Sequence, residues 1–146
     1  MVRKEKYELP PEAIREMIIN AHCHRNLLDE SCIQVAVYDD RLEVTSPGGL
    51  YNGLTYEEVM NGHSKIRNKG IANIFSQMGL VEAWGSGIKR ILNAAEEYGL
   101  PKPKFQEFDN MFRVELFRSS FPMTNGKENI GEASEKHRRS IGEASE

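Results

Sequence analysis

Apolar positions recur along this chain in two periods, and the switches between them divide it into elements. After Leu9-Pro10-Pro11-Glu12, where proline suits the first turn of a helix, Ala13, Ile14, Met17, Ile18 and Ala21 mark one apolar helical face. From Cys32 to Tyr38 the chain turns β-rich, Asp39-Asp40 makes a turn, and Leu42-Glu43-Val44-Thr45 alternates as a partner strand that stops at Pro47-Gly48-Gly49. Residues 50–70 are polar and punctuated by glycine, with a short helix expected over Thr55–Met60. Ile71, Ile74, Phe75 and Met78 predict a second main helix ended by Gly79. Gly85-Ser86-Gly87 opens a third, with Ile88, Ile91, Leu92, Ala95 and Tyr98 at helical spacing before Gly99 and Pro101. A last hairpin is expected from Lys104–Phe108 and Phe112–Phe117, turning at Asp109-Asn110. Hairpins imply antiparallel strands, and amphipathic helices need a surface to cover. The expected fold is α+β: a two-layer sandwich with helices on one face of a mainly antiparallel sheet.

Composition changes this picture only near the C-terminus. The 28 residues from Ser119 on hold six apolar side chains, and Ile130–Glu135 recurs verbatim as Ile141–Glu146, an eleven-residue period. Each repeat offers one Ile, one Ala and a helix-weakening Gly, so residues 119–146 are expected to be a solvated, disordered tail. Residues 1–118 are then the single folded domain, and the chain reads as a fragment of a longer protein. Charge is nearly balanced, with 19 basic against 22 acidic residues overall, which gives no basic surface for direct nucleic-acid binding. No apolar run is long enough to span a membrane, and the N-terminus has no signal-peptide core. Two cysteines, Cys23 and Cys32, form no disulfide or zinc pattern, which implies a reducing, cytoplasmic setting.

Three features could carry chemistry. Glu16, Asn20 and His24 fall one turn apart and form a polar stripe beside the apolar face of the first helix. A carboxylate and a carboxamide so spaced suit activation of a water and ligation of a hard cation, though a solvated helix edge would read the same. Gly85-Ser86-Gly87 at a helix start could admit a phosphate to free N–H groups; a tight turn is the plain alternative. Ser64–Lys69 clusters Lys65, Arg67 and Lys69 in the long loop, as phosphate contacts or as a solvated charge run. His22, Cys23 and His24 do not make a zinc site, because residues 22 and 24 point about 200° apart on a helix. Trp84 reads as a core residue, and the chain holds no P-loop, which excludes a P-loop helicase motor.

Taken together, these pieces resemble the GHKL (Bergerat-fold) ATPases, the group of gyrase and the histidine kinases. Glu16-x-x-x-Asn20-Ala21 is similar to that group's N-box, Gly48-Gly49 sits at its first glycine box, and Gly85-Ser86-Gly87 at its later one. A closer resemblance is to a bacterial and archaeal subfamily of transcriptional regulators, also labelled RecG-related ATP-dependent DNA helicase, C-terminal domain. It rests on Pro11–Glu16, Asn20-Ala21, His24-Arg25, Asp40–Val44, Ser46–Leu50, Arg67-Asn68, Met78–Glu82 and Gly85–Ile88, and spans about residues 7–118. The resemblance implies ATP and Mg²⁺ as cofactors, Glu16 as general base and Asn20 as the Mg²⁺ ligand. It also implies that Gly48, Gly49, Gly85, Ser86 and Gly87 shape the pocket, with Lys65 and Arg67 as phosphate contacts. DNA would be met only by domains absent from this chain, and a homodimer is among the states it allows. One departure stands out: the wider group holds adenine with an Asp in the first glycine box, where this chain has Thr45-Ser46-Pro47. Two readings therefore stay open: a nucleotide-binding module with weak or no hydrolysis, and a non-enzymatic scaffold or dimerisation module that retains the fold.

Overall fold

The computed structural model describes residues 6–51, 53–63, 65–80 and 87–119. Its elements follow in the order α1 (Pro11–His24), β1 (Gln34–Val37), β2 (Arg41–Pro47), α2 (Tyr56–Met60), α3 (Lys69–Gln77), α4 (Gly87–Glu97), β3 (Lys104–Phe108) and β4 (Met111–Phe117). Each matches an element expected from the hydrophobic pattern. Pro11 occupies the first turn of α1 and Glu12 complements its dipole. Thr55 and Glu58 close a reciprocal capping box on α2. Asp109 and Asn110 both adopt positive φ, 46° and 57°, as a two-residue hairpin turn requires. Gly85, Ser86, Trp84 and the repeat-bearing tail beyond residue 119 lie outside the described residues.

The four strands form one antiparallel sheet in the order β1-β2-β4-β3. The long β2–β4 ladder sets Leu42 opposite Leu116 and Val44 opposite Val114, with Phe105 of β3 opposite Val114. These residues share one face and join Ala13, Met17 and Ala21 of α1 and Ile91, Ala94 and Ala95 of α4 in the main core. At 25 cal/mol per Å² of apolar burial, each Val, Leu, Ile, Phe or Met among them contributes about 1.5–3 kcal/mol, and each Ala less. The helix layer stops short of the β1 edge, so Val35 and Val37 remain exposed.

Two helices depart from the expected packing. On α1, Ile18 is exposed whereas Ile19 and Cys23 are buried, because α3 packs along that flank and forms a second small core with Ala72. On α3 it is Ala72 that is buried, and Ile74 and Met78 of the expected apolar face are exposed. A helix that rests on another helix, rather than on the sheet, buries a narrower stripe.

The uncovered sheet face holds a second surprise. Glu43 and Glu115 stand opposite each other in the β2–β4 ladder, and both are buried. Arg41 Nε donates to Glu43 Oε1 at 2.9 Å and lies 3.8 Å from Glu115, and Arg113 Nε lies 3.7 Å from Glu43 Oε2. Burial acts to raise both carboxyls. The Arg41 hydrogen bond and both arginine charges hold Glu43 below its ordinary value, whereas Glu115, hydrogen-bonded to Glu43, stays above. Of the two carboxyls, Glu115 is therefore the first to take up a proton as pH falls.

Candidate functional site

Because Ala13, Met17 and Ala21 fix the roll of α1 on the sheet, its neighbouring stripe turns toward the start of α4 and the turn after β2. A cavity of about 110 Å³ opens there, roughly eight to ten times the space one water needs. Glu16, Asn20 and His24 line it from α1, Gly48 and Gly49 from the turn, Lys65 from the long loop and Gly87 from the start of α4. Leu50, Tyr51, Leu54, Val59 and Ile66 supply an apolar wall. Seven of the residues singled out from sequence thus meet in one place, although 71 positions separate Glu16 from Gly87.

Glu16 is 5% exposed, and Arg90 Nη1 donates to its Oε1 at 3.1 Å. Burial raises the carboxyl above its ordinary value, and the Arg90 hydrogen bond and charge oppose that only in part. A carboxylate with a raised pKa is a stronger base near neutral pH. Its Oε2 faces the start of α4: a Cβ placed on Gly87 would lie 3.3 Å from it. Asn20 sits one turn on, half-buried, and its carboxamide takes no hydrogen bond among the described residues. His24 also lines the cavity, its pKa held below the ordinary histidine value by burial and then by the Arg67 charge. Beside it the Cys23 thiol is pushed up to about 11 by burial and then by Glu16, so it stays protonated and is a poor nucleophile.

The glycine turn is held from several sides. Gly48 adopts φ +109°, its N–H donates to the Asn110 carbonyl at 2.6 Å, and Asn26 N–H donates to the Pro47 carbonyl at 2.7 Å. A Cβ on Gly48 would meet Asn26 at 3.0 Å, so side-chain-free backbone is required there. A Cβ on Gly49 would run into the Glu107 carboxylate, which accepts from Leu50 N–H at 3.3 Å. Arg67 does not line the cavity: its Nη2 donates to the Gly49 carbonyl at 2.9 Å and its guanidinium stacks over Tyr51 at 5.0 Å. In this structure it braces the turn from behind.

Arg90, Glu107 and Asn68 belong to the site's support, and pattern reading did not single them out as site residues. Asn68 anchors the loop by donating Nδ2 to the His22 and Arg25 carbonyls at 3.0 and 2.7 Å, which satisfies free carbonyls at the end of α1. The Arg67-Asn68 pair was visible as a motif, but contacts across more than forty residues have no local signature. Among the described residues no three His, Cys, Asp or Glu side chains gather as a metal cluster.

Residues 30–116 match the family described as “Putative ATP-dependent DNA helicase recG C-terminal”. The fold is similar to the crystal structure of the DIP2311 protein from Corynebacterium diphtheriae, with a TM-score of 0.70 and 30% identity. That similarity covers 76% of this chain and 23% of the other, so the chain spans less than a quarter of that relative. No curated protein sequence matches the chain.

Proposed function

The chain belongs to this RecG-related family of ATPase-like domains, and from that membership and the cavity's chemistry we propose that it binds a magnesium–ATP complex. It does so as the GHKL-type nucleotide-binding module of a multidomain transcriptional regulator, with weak or no hydrolysis. The observation that carries this reading is the Asn20 carboxamide: it faces the cavity without a partner among the described residues, one turn from Glu16. An amide oxygen alone is a poor site for a free cation. It suits Mg²⁺ well, because that ion keeps several waters and takes most other ligands from substrate phosphates.

In this reading Asn20 Oδ1 holds the cation, and backbone N–H groups at the start of α4 and Lys65 meet phosphate oxygens. Magnesium, when bound, neutralises charge on those oxygens. Glu16 accepts the proton of an attacking water. The Arg90 hydrogen bond to Glu16 Oε1 favours the ionised carboxylate but restrains it, which supports slow rather than fast turnover. Thr45 turns to the uncovered face and is bonded by Arg113, so it offers the cavity no substitute for the missing adenine-binding carboxylate.

The test is calorimetric titration of ATP into the full chain with and without Mg²⁺, repeated on Asn20→Ala. Magnesium-dependent heat that Asn20→Ala removes is the expected result. No heat at millimolar ATP from folded protein would overturn the reading and favour a scaffold that retains the fold. No described helix is long and apolar enough to cross a membrane.

A further inference from the structure

The cation and phosphate roles above leave the His24 side chain of the cavity unused. His24 lies two helical turns beyond Glu16, about 12 Å along the axis of α1 at 1.5 Å per residue. It lines the same cavity as Gly48 and Gly49, and its ring takes no hydrogen bond among the described residues. The start of α4, whose backbone N–H groups suit an anion, lies at the opposite end of the stripe, where Gly87 meets Glu16. A triphosphate seated there projects its nucleoside along α1 toward His24. The span from Glu16 to His24 is comparable to the reach of an extended nucleoside triphosphate.

We infer that His24 is the residue that reads the nucleobase edge, in place of a carboxylate. The inference rests on the proposed nucleotide site and adds its specificity. Burial and the Arg67 charge keep the imidazole neutral at neutral pH, so it offers one N–H donor and one acceptor. A carboxylate there would offer acceptors only. Because either ring nitrogen can carry the proton, His24 pairs with an amino edge or with a carbonyl edge. Adenine and guanine nucleotides therefore bind within about tenfold of each other.

The experiment titrates Mg-ATP, Mg-GTP and magnesium tripolyphosphate, which has no base, into the full chain and into His24→Phe and His24→Gln. Both nucleotides should bind the wild type more tightly than tripolyphosphate. His24→Phe should weaken ATP and GTP about tenfold and leave tripolyphosphate unchanged, and His24→Gln should restore most of the loss, because a carboxamide also donates and accepts. If His24→Phe fails to fold, the His24 ring resonances of the wild type decide: they should shift with ATP and stay with tripolyphosphate. Unchanged ATP affinity in folded His24→Phe, equal weakening of tripolyphosphate, or unmoved ring resonances would overturn the inference while leaving the nucleotide site intact. Failure of folded wild type to bind either ATP or tripolyphosphate would overturn both.

Discussion

Replacing Arg90 by Met tests the electrostatic centre of the cavity. The side chain of Glu16 is 6% exposed and that of Arg90 20%, and a single 3.1 Å contact joins them. Removing one partner of a fully buried pair costs about 3–5 kcal/mol. This pair is partly open and singly bonded, so the loss at pH 7.5 should be smaller, about 1–3 kcal/mol. Burial already raises the folded-state pKa of Glu16 above 4.5, and the Arg90 hydrogen bond and charge are the two largest influences that lower it. Arg90→Met must therefore raise it further. A carboxyl whose pKa is raised on folding holds a proton in a pH range where the unfolded chain has lost it. Its contribution to stability is full below about pH 4.5 and is lost as pH rises through the folded-state value.

The penalty of Arg90→Met should accordingly be small at pH 4.5 and reach its full size by pH 7.5. Urea denaturation followed by far-ultraviolet circular dichroism, at both pH values, measures it. Arg90 makes interactions besides the one with Glu16, so the pairwise part needs a cycle with Glu16→Gln and the double variant. A coupling energy near zero, or a penalty equal at the two pH values, would refute the claim that Arg90 holds Glu16 ionised. If the chain turns over ATP, the acid limb of its pH–rate profile should also move upward in Arg90→Met.

Three further outcomes follow from the geometry. Glu115→Gln keeps a donor toward Glu43 and removes the second acid, so urea midpoints should show a gain of about 0.2–1 kcal/mol at pH 7.5 and almost none at pH 4.5. Gly48→Ala should cost about 1–3 kcal/mol by thermal melting, since φ +109° and the Asn26 backbone leave no relief. Gly49→Ala should cost less than about 1 kcal/mol, because the group in its way is the exposed, movable Glu107 side chain, and Glu107→Ala should make it nearly neutral. Arg67→Ala should lower the melting temperature by the equivalent of about 1–2 kcal/mol and weaken nucleotide binding through the loosened turn, with tripolyphosphate affected less than ATP.

Local pattern carried most of the elements. Periodicity located the helices, turn chemistry located Asp109-Asn110, and the stripe of Glu16, Asn20 and His24 follows from 3.6 residues per turn alone. Relations across the chain left no such trace. Two hairpins are legible separately, but nothing local says that β2 and β4 pair to give the order β1-β2-β4-β3. The alternation of Leu42-Glu43-Val44 marks Glu43 as polar and outward, which is correct in direction and misleading in burial. Glu43 is covered by Arg41, Arg113 and Glu115, two of them from the distant β4. Arg67 reads from sequence as a phosphate contact or as part of a solvated charge run, and its bond to the Gly49 carbonyl, eighteen residues away, has no local signature. The Ile74 and Met78 stripe has the right period, yet it stays exposed because α3 leans on α1 through Ala72.

The β2–β4 register ties these observations together. Leu42 and Val44 point to the helix layer and fix where α1 and α4 sit, whereas Arg41, Glu43 and Thr45 point the other way into the charged network. The same strand runs into Gly48, whose N–H bonds the Asn110 carbonyl at the β3–β4 turn. A slip of one residue would turn Glu43 and Thr45 toward the core and move the glycine turn about 3.3 Å from its partner. The cavity wall would be lost although every cavity residue remained. The charged network opposes that slip, because only one register lets Arg41 and Arg113 reach Glu43 while Leu42 and Val44 stay covered. Damage on the uncovered face, as in Glu43→Leu, should therefore reach the cavity through register rather than through contact.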